Sequence, residues 1–195
     1  MNRISEISRN TAETRIQAVL NLDGAGQGEI ATGIGFFDHM LRAFAKHGFF
    51  DLKLTCDGDL EVDGHHTVED CGIVLGTAIR EALGDKAGIR RYGFFLLPMD
   101  EALVSCAVDL SGRPYYVSDA SFLSPAVGTF DTQLVNEFFY SVSYAAGMNL
   151  HFVCRRGSND HHIIEAMFKA FAKALDAAVT IDPRVQGVLS TKGSL

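Results

Sequence analysis

A chain of 195 residues with 47% apolar and 21% charged side chains can bury one sizeable core, or two small ones that share it, and is too apolar to be disordered. Its 17 Lys and Arg against 24 Asp and Glu give a net charge of −7, which excludes a broad basic face for nucleic acid but allows a local basic pocket for a small anion. No apolar run approaches the roughly 18 residues of a membrane span, Met1 to Glu13 lacks the apolar stretch of a signal peptide, and Cys56, Cys71, Cys106 and Cys154 form no CxxC pair. The expectation is a soluble cytoplasmic protein with reduced thiols.

The first predicted strand, about 13–22, alternates Ile16, Ala18, Leu20 and Leu22 before an Asp23-Gly24 turn. A strand at about 28–33 precedes a helix at about 36–47, where Phe37, Met40, Leu41 and Phe44 form an i, i+3, i+4, i+7 stripe. A strand at about 49–55 and a helix at about 65–83 follow. After residues 84–100 the same order returns, with strands at about 101–110 and 114–118, a helix at 131–146, a strand at 148–154 and a helix at 161–179.

The second series repeats the first. Glu13 to Gly24 matches Glu101 to Gly112 at an offset of 88, the stripe from Phe37 matches Val135, Phe138, Phe139 and Val142 at 98, and His65-His66-Thr67-Val68-Glu69 matches His161-His162-Ile163-Ile164-Glu165 at 96. The pattern predicts an α+β sandwich of two tandem half-domains, strand-strand-helix-strand-helix each, related by a pseudo-two-fold axis. The half-repeats span about 9–84 and 101–182, with a linker at 85–100 and a tail at 183–195.

In HHxxE at a helix start, the first His and the Glu lie at i and i+4 on one face, close enough to chelate one ion, while the second His points about 100° away. Each half also contributes His39 or its repeat mate Glu137 from its first helix. The pseudo-dyad then suggests two sites of four ligands: His39, His66, His161 and Glu165 in the first, and His65, Glu69, Glu137 and His162 in the second. Imidazole and carboxylate without thiolate suit Mn, Fe or Zn better than Mg or Ca. His47 and His151 lack this symmetry and read as ordinary polar residues, with His151 in reserve should Glu137 fail. Arg90, Arg91, Arg113, Lys169 and Lys192, with Ser190 or Thr191, are candidates to converge on a phosphate.

In chain order GFFDHML, DGHHTVEDCGIVLG, PMDEAL, DLSGRP, NDHHIIEAMFKAFAKAL and STKG resemble the imidazoleglycerol-phosphate dehydratase family of histidine biosynthesis, over Arg9 to Lys192. The resemblance implies duplicated half-domains of the ribosomal protein S5 domain 2-like type and a homo-oligomer of 24 subunits. It also implies two Mn(II) ions per active site, held at subunit interfaces by the ligand sets above, although many members carry His where this chain has Glu137. The reaction it implies removes water from D-erythro-imidazoleglycerol phosphate to give imidazole-acetol phosphate. The hydrogen lost sits on a carbon that no carbonyl acidifies, so activation comes from an imidazole ring stabilised as imidazolate between the ions, whose electron density expels the adjacent hydroxyl.

By the same resemblance Glu13, Glu69 and Glu165 are the catalytic carboxylates, with Glu13 the first choice as acid/base and Glu101 and Asp100 in reserve. Arg91, Arg113, Lys169, Ser190 and Lys192 would hold the phosphate, while Glu13, Glu69 and the five paired or striped histidines border the substrate. Some members carry a fused histidinol-phosphate phosphatase, for which this chain has no room, so the monofunctional form is expected. The residues alone also allow a di-metal phosphoester hydrolase or an oligomer joined by structural metal.

Overall fold

Alternation becomes strand where one face is covered: Ile16, Ala18 and Leu20 are buried, while Arg15, Gln17 and Val19 between them face outward. The computed structural model describes residues 3–195. Its elements run β1 (Ile4–Asn10), β2 (Thr14–Asn21), β3 (Gly28–Ala31), α1 (Gly35–Gly48), β4 (Asp51–Gly58), α2 (His65–Leu83), β5 (Tyr92–Met99), β6 (Ala102–Asp109), β7 (Tyr115–Ser118), β8 (Ala126–Val127), β9 (Phe130–Asp131), α3 (Gln133–Ala146), β10 (Asn149–Arg156) and α4 (Asp160–Val179).

The duplication is plain in the sheets. One has strand order β1-β2-β4-β3 and the other β5-β6-β10-β7, each with two antiparallel pairings and one parallel pairing at the β3 or β7 edge. Register is shared as well: Glu6, Val19, Lys53 and Glu29 form a row across the first sheet, and their repeat mates Phe94, Ala107, His151 and Val117 form one across the second.

Each half opens with a strand beyond those the sequence pattern predicts. Residues 92–99, read as part of a linker, are β5, the mate of β1 at the same offset of 88 that relates β2 to β6. In β1 the hydrophobic signal is inverted, because Ile4 is exposed while Ser5 is buried and donates from Oγ to Ala78 O at 2.8 Å. In β5 the run YGFFLLPM has no alternation, since Phe94, Phe95 and Leu96 are all exposed. The two-residue β8 and β9 are too short to leave a periodic signal.

The helices lie between the sheets and pack across the halves, α1 on α4 and α2 on α3. Aromatic rings fill the seam: Phe44 stacks on Phe171 with centroids 5.3 Å apart, and Phe138 on Phe168 at 5.1 Å. Gly72 and Gly76, one turn apart on α2, admit α3 so closely that a Cβ at Gly76 would sit 2.5 Å from Val142 O. The second sheet approaches α4 in the same way at Gly93 of β5, where a Cβ would fall 1.7 Å from Ala174 O. The buried Asp70 carboxylate fastens the first sheet to α2 by accepting from Thr14 Oγ1 at 2.5 Å and Arg9 Nε at 2.9 Å. Among the described residues no helix is long and apolar enough to cross a membrane.

Candidate metal centre

The cross-half packing of α1 on α4 decides which predicted ligands meet. His39 projects from α1, and His161 and Glu165 lie one turn apart at the start of α4. That start is well anchored: the Asn159 side chain caps the His162 N–H at 3.3 Å, and Asp160 accepts from the Leu123 and Ser124 amides at 2.9 and 2.7 Å. Glu165 Oε2 lies 3.0 Å from His161 Nε2 and 3.3 Å from His39 Nε2, and one donor atom from each of the three lies within 4.8 Å of the others. Among the described residues this is the only such group of three.

Two imidazoles and a carboxylate, with the imidazole side chains 52% and 42% exposed and the carboxylate 9% exposed, form a donor set open to a divalent ion and further ligands. Glu165 is ready for that role. Burial pushes its carboxyl upward, but the Lys169 ammonium 2.5 Å from Oε1 and the two imidazoles outweigh burial and hold it below the ordinary value.

The second arm is looser. His65 Nε2 and Glu69 Oε2 are 3.8 Å apart at the start of α2, beside a cavity of about 490 Å³ lined by Gly33, Asp63, Phe130 and Gln133. Glu137 is half-buried on α3, the helix that packs on α2, but forms no comparable triad with His65 and Glu69 among the described residues. His151 lies on the outer face of the second sheet, away from the helix layer that carries His65, Glu69 and Glu137.

His66 and His162, predicted as the crossing ligands, stand apart from both arms in the single chain. His66 Nδ1 lies 2.9 Å from Asp59 Oδ2, and its Nε2 is 3.6 Å from Glu13. His162 Nδ1 lies 2.7 Å from Glu101 Oε2, and its Nε2 is 3.6 Å from Asp100. Hydrogen bonds to the Asp59 and Glu101 carboxylates raise both imidazoles above their ordinary value. Asp59 escaped the sequence reading because it lies in a loop and has no acidic repeat mate.

The predicted phosphate group is dispersed. Arg91 is buried with φ +70 and gives Nε and Nη2 to Asp109 at 2.7 and 3.1 Å and Nη1 to Leu189 O at 2.8 Å, which uses three of its five N–H donors. It lines a cavity of about 770 Å³ with Arg184, Ser190 and Thr191. Arg113 turns back on Ser111 O at 3.3 Å, Lys169 is engaged by Glu165, and Lys192 is exposed in the tail, where its N–H donates to Ser190 Oγ at 3.2 Å.

A twofold-repeated α+β sandwich with paired HHxxE helix starts and a convergent His/His/Glu cluster has the donor set of a His- and carboxylate-ligated metal site. Residues 32–175 match the imidazoleglycerol-phosphate dehydratase family. The chain is 66% identical to the imidazoleglycerol-phosphate dehydratase of Lachnoclostridium phytofermentans and 59% identical to that of Acetivibrio thermocellus, in each case over 195 residues and the full length of both chains. Among solved structures it is similar to imidazoleglycerol-phosphate dehydratase from Staphylococcus aureus subsp. aureus N315, with TM-score 0.84 and 41% identity over 92% of this chain and 99% of that one. It is also similar to the enzyme from Pyrococcus furiosus in complex with (S)-C348, with TM-score 0.84 and 38% identity over 97% and 100% of the two chains. The chain belongs to the imidazoleglycerol-phosphate dehydratase family and is a hydro-lyase.

Proposed function

We propose that the protein dehydrates D-erythro-imidazoleglycerol phosphate to imidazole-acetol phosphate and water in histidine biosynthesis, with two Mn(II) ions per active site. The convergence of His39, His161 and Glu165 carries this reading, because two imidazole nitrogens and one carboxylate leave positions for a fourth protein ligand and for substrate. His66 completes that set, and His65, Glu69, Glu137 and His162 hold the second ion. Bound there, the metal supplies Lewis-acid stabilisation of an anionic substrate imidazole.

The chain's own groups do the rest. Glu13 takes the carbon-bound proton or gives one to the departing hydroxyl. Arg91, Arg113, Lys169, Ser190 and Lys192, dispersed within one chain, hold the phosphate where copies of the chain bring them together, and so keep the reacting end in register.

The split of each ligand set supports a homo-oligomer in which a second copy brings the missing histidine. The outer face of the second sheet supports the same conclusion. Where the first sheet presents Glu6, Lys53 and Glu29, the second presents Phe94, His151 and Val117, flanked by exposed Tyr92, Leu96 and Tyr115. A largely apolar exposed face where the repeat mate is mostly charged is the kind of surface through which copies of a chain associate.

Protein stripped by chelator is expected to lose dehydration of imidazoleglycerol phosphate and to regain it with Mn(II). Full activity in the stripped protein would overturn the metal reading, and phosphate release with an untouched glycerol chain would identify a hydrolase instead. Metal affinity should also depend on pH. His66 and His162 hold protons to a higher pH than a free imidazole, and metal and proton compete for them, so Mn(II) affinity is expected to fall from pH 8 to pH 6 with proton release on binding. Calorimetry in buffers of different ionisation enthalpy measures that release, and an affinity flat across the range would contradict it.

A further inference from the structure

We propose that Asp59 and Glu101 are positioning residues that fix His66 and His162 in the tautomer with Nδ1 protonated and Nε2 bare, so that Nε2 is the ligating nitrogen. The inference rests on the metal reading of these two histidines. Both carboxylates face Nδ1, at 2.9 Å from Asp59 and 2.7 Å from Glu101. An ionised carboxylate only accepts, so Nδ1 must donate and the lone pair of the neutral ring is left on Nε2. The remaining histidines of the cluster agree in direction, since His39 and His161 both turn Nε2 toward Glu165.

The two halves reach this result by different residues. Glu101 is the repeat mate of Glu13, and each stands in the hairpin turn that opens the second strand of its half. In the first half the loop after β4 supplies Asp59 to Nδ1, and Glu13 remains free on the Nε2 side at 3.6 Å. In the second half no such loop residue serves, and Glu101 itself takes Nδ1. It is fully committed there: Oε1 accepts the Ser158 and Asn159 amides at 3.1 and 2.7 Å, and Oε2 accepts the imidazole. Duplicated carboxylates have therefore divided the labour, with Glu101 orienting a ligand and Glu13 left available to substrate.

Glu101→Gln tests the tautomer directly. The two backbone amides demand an acceptor at the Oε1 position, so the Gln amide nitrogen faces His162 and donates to Nδ1, which forces the proton onto Nε2. Glu101→Ala removes the partner without forcing the wrong tautomer. Isothermal titration of the metal-free, full-length protein with Mn(II) is expected to show one of the two ions per chain weakened about 10–100-fold in Glu101→Gln, and less in Glu101→Ala. A merely structural role for Glu101 predicts the opposite order, because Gln keeps the amide contacts that Ala loses. Asp59→Leu should weaken the other ion by a similar factor.

Ring ¹⁵N shifts from solid-state NMR of the metal-free protein at alkaline pH give a second reading that needs no metal and no alanine variant. Protonated Nδ1 in wild type with reversal at His162 in Glu101→Gln is the expected result. Wild-type affinity in Glu101→Gln, weaker binding by Ala than by Gln, or bare Nδ1 in wild type would each overturn the inference while leaving the metal reading intact. Failure of wild type to bind Mn(II) would sink both.

Discussion

Glu13→Gln is expected to lower kcat for dehydration by about 10²–10⁴ while leaving Mn(II) affinity and thermal stability near wild type. Its side chain is 51% exposed at the turn between β1 and β2, and its polar partner among the described residues is His66 Nε2 at 3.6 Å. Gln keeps the size and one acceptor and loses the charge and, with it, the ability to take or give a proton. Surface substitutions of this kind typically move stability by about 0.5 kcal/mol or less, so a large kinetic loss would report chemistry rather than folding. The contrast with Glu101→Gln is diagnostic: excess Mn(II) should restore activity to the latter and not to Glu13→Gln. Steady-state kinetics at saturating Mn(II) decide the matter, and a kcat within threefold of wild type would remove Glu13 from the acid/base role.

The largest expected loss of stability is at Gly93→Ala. A methyl group there would lie 1.7 Å from Ala174 O, 2.7 Å from Ala174 C and 3.1 Å from Ala178 N, all backbone atoms of α4 that cannot rotate aside. Strand β5 must then lift from the helix, opening the seam that Ala174 and Ala178 fill. Overpacking of this kind costs about 3 kcal/mol or more, equivalent to a Tm lower by roughly 6–12 °C in a chain of this size. Gly35→Ala is the matched control, since nothing lies within 4 Å of a Cβ at that helix start. Thermal melts followed by circular dichroism give the comparison, and equal Tm values for the two variants would show that β5 has slack the geometry denies it.

The helices and the inner strands were legible because each depends on spacing along one element, and the members of the cluster of three because two such spacings were read together across the repeat. The i, i+4 interval joins His161 to Glu165, and the matching stripes of α1 and α3 single out His39. The opening strand of each half was not legible, because burial there opposes hydrophobicity. Ser5 goes in while Ile4 stays out, and in β5 an exposed Phe94-Phe95-Leu96 run hides the alternation. Asp59 was invisible for a different reason, since a loop residue that reaches a helix start leaves no periodic trace. The partner of Arg91 was equally hidden, because Asp109 becomes its neighbour only after the sheet is built.

Because α1 packs on α4 and α2 on α3, neither half of this chain is a folding unit in its own right. On the ribosome, α1 is complete at Gly48, but its partner α4 ends about 130 residues later at Val179. At about 5–20 residues per second that gap lasts on the order of ten seconds. Throughout it Phe44 has no Phe171 to stack on, and the helix seam of the first half faces water. The cross-half packing thus makes completion of the core wait on the last helix, and the apolar seam stays exposed in the interval.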